Sequence, residues 1–263
     1  MKKYLFVAKM RIQFMLAYRF TVFMITLMGC LIMLAIGFFW KAVYGDTGTA
    51  HGVTADTMLT YTMVSTVMNT LYVMGVEEKV ADAVKSGSIA TDMIKPVNLF
   101  SMYLAEDIGN VVFNLFMRTL PTLLVGILIF GLPVPASAEH FWLFFASFIL
   151  GYFINWTFSA TFAMLSFTAV DLGPIFSIKY HFVDLLSGAM IPLWFFPDWL
   201  SSALYCLPFV YMYQEPLSIY IGKYPVGECF AKLGIQAAWL AVLLVIFLFA
   251  QKRATRRVMV QGG

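Results

Sequence analysis

Charge is scarce in this chain: only 12% of its 263 residues are Asp, Glu, Lys or Arg, against about 25% in soluble globular proteins. A soluble fold would have to bury very large cores in the one or two domains that this length allows, so the bilayer is the expected solvent. Histidine and cysteine are rarer still, with three of each. His51, His140 and His181 make no metal-ligand spacing, and no convergent nucleophile, base or metal set marks a membrane enzyme. Cys30 lies inside an apolar run as a small hydrophobe. Cys206 and Cys229 could share an oxidising side of a membrane, but nothing in their spacing fixes a distance, so their pairing stays open. A phosphate-cradling loop is also missing. It requires Gly, four residues, then Gly-Lys-Ser/Thr, whereas Gly222-Lys223 is followed by Tyr224 and has Leu217 where the first Gly belongs. Any ATP chemistry must be carried by another chain, and none of the residues here calls for a cofactor or a metal.

What the chain does have is apolar length, with 61% hydrophobic residues and a mean hydropathy of +0.84. Windows of about 20 residues give six candidate spans: Phe20 to Trp40, Met58 to Val76, Val111 to Leu132, Phe141 to Val170, Phe176 to Phe196 and Phe230 to Ala250. The runs are continuous, unlike the alternating ten-residue segments of an outer-membrane barrel, and lipid leaves no partner for a free backbone N–H. An all-α polytopic membrane protein is expected, a single domain over 1–263. The fourth span exceeds what a bilayer needs, so it should tilt or extend beyond the hydrocarbon, and Gly151 offers a place to bend.

Basic residues set the orientation. With the N-terminus in the cytoplasm, 13 of the 17 Lys and Arg residues fall on the inner side, among them Lys2, Lys3, Lys9, Arg11, Lys79, Lys85, Lys95, Lys179, Arg256 and Arg257. Only Lys41, Lys223 and Lys232 fall outside, and Arg118 lies within a span. The positive-inside rule places both termini in the cytoplasm of a cell that carries the protein in its inner or plasma membrane. The net charge of +3 is spread over separate inner segments, unlike a nucleic-acid patch, so no nucleic-acid partner is expected. Residues 1–19 mix bulky apolar side chains with Lys and Arg; they read as an interfacial elbow helix or as a plain extension of the first span.

The longest inner loop, 77–105, has unusual local order. Val76, Val80 and Val84 recur at i, i+4 and i+8 on one helical face, with Glu77, Glu78, Lys79, Asp82 and Lys85 mostly elsewhere. Gly87 stands where a left-handed helix cap belongs. Ile89, Met93 and Ile94 form a second short apolar face, and Pro96 holds Lys95 out of helical geometry. The segment reads as a stiff hairpin suited to receiving force from a cytoplasmic motor, or as an ordinary interfacial loop.

On the other side, 197–229 is too apolar for a solvated loop, yet Pro197, Pro208 and Pro216 interrupt it. Trp199 and Leu200 begin its greasy run. Irregular backbone is tolerated at membrane depth only against protein, so these pieces read as a re-entrant gate over a substrate path or as an aromatic belt at the headgroups. Within the spans, Arg118 costs about 2.5–3.5 kcal/mol at a bilayer centre while each Leu, Ile, Phe or Val returns about 0.3–0.6, so its helix can still insert. Arg118 should face protein or water, as a structural charge or a substrate contact. Asp184, three residues from His181, could take part in a proton relay of an ion-coupled secondary transporter, the alternative to an ATP-driven machine.

Two stretches carry a family resemblance. "VKSGSIATDMIKPVN" resembles the inner loop of an uncharacterised branch of the permease subunits of type-2 ABC transporters, mostly exporters. "SGAMIPLWFFPDWLSSALYCLPFVYM" is similar to their pattern of Ser-Gly, Pro, Pro-x-Trp-Leu and Leu-Pro ahead of the last span, which here falls on Pro192, Pro197, Trp199, Leu200 and Pro208. The resemblance implies a permease that pairs with a second copy or a paralogous permease and binds two ATP-binding cassette subunits, which hold ATP and Mg. In that picture the helix containing Glu77, Glu78, Asp82 and Lys85, closed by Gly87 and followed by Lys95 and Pro96, docks in a cleft of the ATPase, and the cargo is an amphiphilic drug, lipid or peptide.

Overall fold

A computed structural model of the chain describes residues 2–45, 48–50, 52–94, 98–169 and 172–255. Lys95, Pro96, His51, Arg256 and Arg257 lie outside the described residues, so the expectations placed on them are not addressed by the fold. The regular structure of the described chain is helical apart from one short hairpin, Thr49–Ala50 against Val53–Thr54.

Helix α1 (Lys2–Ala17) gives way at Tyr18, whose backbone leaves helical geometry, to α2 (Arg19–Tyr44). It therefore does not continue α2. It packs instead along α6 (Leu99–Asn114), and the crossing is close: a Cβ on Gly109 would lie 2.7 Å from the carbonyl oxygen of Ala8. After α2 come α3 (Ala55–Leu71), capped by the Thr54 hydroxyl accepting from the N–H of Thr57 at 3.2 Å, then α4 (Val76–Lys85) and α5 (Ser88–Ile94).

Among the described residues four helical stretches are long and apolar enough to cross a membrane: Arg19–Tyr44, Leu99–Phe130, Ala138–Phe167 and Val226–Ala254. They match the first, third, fourth and sixth expected spans. The second and fifth are shorter than expected. Helix α3 has 17 residues, and α9 (Gly173–Leu186) has 14, or about 21 Å at about 1.5 Å per residue. The window that runs to Phe196 counts residues that turn: Gly188 takes φ +82°, and Leu193–Phe195 forms a separate one-turn 3-10 helix.

The third span begins earlier than its hydropathy suggests and is not uniform. Between α6 and α7 (Leu120–Phe130) lies a π-helical turn, Leu115–Thr119. Pro121 has no N–H to offer the carbonyl of Met117 four residues before it. The Thr26 hydroxyl of α2 donates to that carbonyl at 3.0 Å, and Thr70 and Thr119 share a hydroxyl hydrogen bond of 2.6 Å. A polar staple thus holds the irregular turn in place, with Arg118 on it.

Helix α8 (Ala138–Ala163) is the central post. It packs most extensively against α12 (Val226–Thr255) and also against α4 and α11 (Gln214–Tyr220). Gly151, read from sequence as a place to bend, has a packing role: a Cβ there would meet the Met212 carbonyl oxygen at 2.7 Å and the Tyr72 hydroxyl at 2.8 Å.

The two larger of three buried clusters divide the molecule along its length. One joins α4 and α5 to the start of α6, the C-terminal part of α8 and the C-terminal half of α12, through Val76, Val80, Ile89, Phe100, Trp156, Ala160 and Phe247. The other joins α3, the N-terminal half of α8 and the segment 187–221, through Met58, Tyr61, Leu193, Val210, Met212 and Leu217. The loop 77–105 and the hairpin before α12 therefore occupy opposite ends.

Candidate functional site

Helix α4 is amphipathic, and its two faces do different things. Val76 and Val80 are fully buried and Ala83 nearly so, while Val84 is half-buried, as the i, i+4, i+8 pattern requires. Ser86 ends the helix and Gly87 takes φ +74° with its N–H donating to the Val84 carbonyl at 3.1 Å. That is the left-handed cap a Cβ would disfavour. On α5, Ile89 is buried and Met93 half-buried, but Ile94 is 83% exposed. The second apolar face is thus narrower than expected, because Ile94 lies about 140° around the helix from Ile89 at about 100° per residue.

The acidic and basic residues of α4 separate by position. Glu78, Asp82, Lys85 and Gly87 are exposed. Glu77, expected among them, turns inward: Lys179 of α9 donates to its carboxylate at 2.5 Å and to the Ser159 hydroxyl of α8 at 2.9 Å. Both partners are about nine-tenths buried, with side-chain exposures of 10% and 12%. Burial pushes the Glu77 carboxyl above its ordinary range, with Lys179 and the hydrogen bonds opposing the shift. Lys79, a second inward residue, pairs with Glu106 at 2.9 Å and Asp107 at 3.1 Å on α6. Asp107 is fully buried and fully engaged. It also accepts from the Trp156 indole N–H at 3.1 Å, and from the Gly75 N–H and the Asn110 amide at 3.3 Å each.

Helix α4 is thus bolted to α6, α8 and α9 by two ion-pair groups and an apolar face. A buried ion pair contributes little net stability, because desolvation offsets much of the attraction, but it fixes register. A displacement of α4 must be passed to α6 and α9 or must break these contacts. Alongside lies an open groove of about 930 Å³, bounded by Val7, Met10 and Phe14 of α1, Lys79, Asp82 and Lys85 of α4, and Glu106 of α6.

At the opposite end the expected gate is a packed structure. Pro192 and Pro208 are buried, Leu200 is half-buried, and Pro197 and Trp199 are exposed. A one-turn 3-10 helix (Leu193–Phe195), α10 (Asp198–Tyr205) and α11 make up the segment. Gln214 is its hub. Its N–H donates to the Ser187 carbonyl at 2.9 Å, its side-chain oxygen accepts from Tyr61 at 2.9 Å and from the Leu193 N–H at 3.0 Å, and its amide donates to Ser218 at 3.0 Å. Gln236 of α12 likewise donates to the carbonyls of Tyr211 at 2.8 Å and Ser147 at 3.2 Å. These buried amides meet the condition that irregular backbone at depth be satisfied by protein. Glu215, also buried, pairs with Lys232 at 3.3 Å, and Lys223 lies 3.8 Å above the Trp194 ring. All three cysteines are free, Cys206 exposed and Cys229 buried.

Arg118 and Asp184 come together in a way that sequence did not indicate. Both line one cavity of about 310 Å³ between α2, α3, the π-helical turn and α9. His181 is exposed and makes no hydrogen bond to Asp184 among the described residues, although its charge acts on the Asp184 carboxyl. Among the described residues there is no group of three or more His, Cys, Asp or Glu side chains that could hold a metal ion.

Sequence reasoning missed Asp107, Trp156, Ser159 and the inward turn of Glu77. Glu77 and Lys179 are 102 residues apart, and no local spacing reveals such a pair. A faint signal existed in Asp107, an acid that only partners could keep inside an apolar helix.

No curated protein and no solved structure matches this chain. A family model described as "ABC-2 family transporter protein" does match, over residues 8–262. That covers almost the whole chain, including α4, the π-helical turn and the hairpin, and the chain therefore belongs to the ABC-2 family of transporter proteins as a membrane-embedded permease.

Proposed function

We propose that this permease is the membrane half of an ATP-driven exporter of amphiphilic compounds, in which a separate ATP-binding subunit hydrolyses ATP and pushes on α4. One observation carries the reading. A short helix presents Glu78, Asp82 and Lys85 outward at the end of the molecule shared with the C-terminus of α12, while its other face is ion-paired to α6 and α9. A helix with one charged face free and the other fixed to two membrane helices is suited to transmit motion, and packed helices convert small displacements into discrete rearrangements. The membrane-embedded family supports the transport role, and family members generally work with ABC ATPases.

The loop side is the cytoplasm in this reading, with both termini on it, and 187–224 forms the extracytoplasmic closure. The permease acts with a second copy or a paralogue, so that two α4 helices receive the two ATP-binding subunits. ATP and Mg belong to those subunits. The ion-coupled alternative would place the coupling proton on Asp184. Purification from native membranes decides between them: an ATP-binding subunit should co-purify, and transport should stop on ATP depletion. Transport that persists without ATP but collapses with the proton gradient overturns the reading.

A further inference from the structure

Two opposite charges face one cleft, and among the described residues neither has an ion pair or a hydrogen bond to hold it; the exposed His181 ring acts on Asp184 through its charge alone. Arg118 is presented by the π-helical turn and Asp184 by α9. Among the described residues neither side chain makes an ion pair or a hydrogen bond, and the Arg118 Nε is buried without a partner. Asn69 of α3, on the same wall, also has a side chain without a hydrogen bond among the described residues. The rest of the wall is mixed: Ile32 and Ile36 on the α2 side, and hydroxyl-bearing Thr66 and Tyr180. A second cavity of about 240 Å³ shares Asn69, Tyr180 and Asp184 and runs on to Glu77 and Lys179. The two cavities thus adjoin at Asn69, Tyr180 and Asp184, and the second is lined by Glu77 and Glu78 of α4.

Ionisable groups at membrane depth are costly and are kept where something pairs with them. The protein elsewhere follows that rule: Lys79, Lys179 and Lys232 each have a carboxylate within 3.3 Å. Among the described residues Arg118 and Asp184 lack such a partner, whereas Lys223, also without a paired carboxylate, sits over the Trp194 ring. A guanidinium offers a flat fork of donors that matches phosphate or carboxylate, and a carboxylate accepts from an ammonium. With apolar side chains beside them, the pair is complementary to a head that carries both charges on an apolar tail.

We propose that this cleft binds a zwitterionic amphiphile, with Arg118 on its anionic group, Asp184 on its cationic group and the α2 wall against its tail. Such a head could belong to a bilayer phospholipid or to exported cargo. Binding does not depend on the export function, whereas assignment of the occupant as cargo rests on it.

The test uses the full chain with its co-purifying partners in neutral maltoside micelles, titrated with three probes. They are a short-chain phosphatidylethanolamine carrying both charges, a short-chain phosphatidylglycerol with the anion alone, and dodecyltrimethylammonium with the cation alone. The two-charge probe should bind at least tenfold tighter than either other. Arg118→Gln should abolish its advantage over the cation, and Asp184→Asn its advantage over phosphatidylglycerol. Arg118→Lys should keep the ranking with weaker binding, which separates ligand recognition from failure to fold. Equal binding of the three probes overturns the proposal, as does an unchanged ranking in both neutral variants. A strongly non-additive loss of melting temperature in Arg118→Gln/Asp184→Asn, without any change in ranking, would instead identify a structural pair. In vesicles, ATP-driven movement of the two-charge probe marks it as cargo; binding without movement, while another amphiphile is exported, marks a resident lipid. Absence of ATP-driven export of anything contradicts the function proposed above and leaves the binding result standing.

Discussion

Replacing Lys179 by Met tests the transmission contact with a magnitude that the structure supplies. The ammonium lies 2.5 Å from Glu77 and 2.9 Å from Ser159, with only 10% of its side chain exposed. Removing one partner of a buried pair costs about 3–5 kcal/mol when the other is left charged. Burial already lifts the Glu77 carboxyl above its usual range, so after the substitution it can take up a proton, and the expected loss falls to about 2–3 kcal/mol. Glu77→Gln should cost a similar amount, about 2–3 kcal/mol, because the amide oxygen still accepts from Lys179 but leaves its buried ammonium without a counter-charge. The double variant Glu77→Gln/Lys179→Met should recover at least about 1 kcal/mol relative to the sum of the singles, the mark of direct coupling. Denaturation in detergent followed by tryptophan fluorescence measures the cycle. In the assembled complex the singles should also lower substrate-stimulated ATP hydrolysis several-fold, and the swap Glu77→Lys/Lys179→Glu should restore part of it. Additive losses in the cycle, or full stimulation in Lys179→Met, would refute the inference that α4 and α9 move together through this pair.

Linkage gives a pH prediction at the same residue. The raised Glu77 carboxyl means that the folded state binds the proton more tightly than the unfolded chain. Its contribution therefore falls as pH rises from the ordinary carboxylate value to the elevated one. Glu77→Gln should flatten that part of the stability profile; an unchanged slope contradicts the assignment. Gly109→Val should push α1 off α6, since even its Cβ would lie 2.7 Å from the Ala8 carbonyl oxygen. The expected cost is about 1–3 kcal/mol, together with faster proteolysis of the first 18 residues, and a protease pattern like that of the unaltered protein would count against the crossing. Gln214→Leu strips a buried hub of its side-chain bonds to Tyr61, Leu193 and Ser218. Tyr61 keeps its 2.6 Å bond to the Gly188 carbonyl, so the Leu193 N–H is the main orphan and a loss of about 2–3 kcal/mol is expected, orphaned buried groups costing about 1–3 kcal/mol each. Thermal melting checks it, and a loss below about 0.5 kcal/mol would show that the hairpin is held by other means.

Much of this architecture can be read without coordinates, and the failures have specific causes. Val76, Val80 and Gly87 declare α4 and its cap because periodicity and left-handed backbone are local properties. Four spans are visible because insertion into lipid depends on summed hydropathy over a contiguous stretch. The fifth apolar window outruns α9 for the same reason: hydropathy carries no information about Gly188, where the chain turns while remaining apolar. The π-helical turn is not legible in the hydropathy of the third span: Pro121 is local, but the Thr26 hydroxyl that donates to the Met117 carbonyl lies 91 residues away. Glu77 and Glu78 look alike in sequence. Only the fold places one against Lys179 and leaves the other exposed, so the faces of a charged helix could be assigned for valines and not for carboxylates. The shared cleft of Arg118 and Asp184 is likewise a product of tertiary packing between distant helices.

Site-specific photo-cross-linking from Asp82 and Lys85 in native membranes tests the central claim most directly. Both positions should yield adducts with an ATP-binding subunit, with yields that change between nucleotide-free and ATP-trapped states, while a probe at exposed Trp199 gives none. Cross-links from α4 that reach only lipid or other chains, with no ATP-binding subunit among them, would contradict the account.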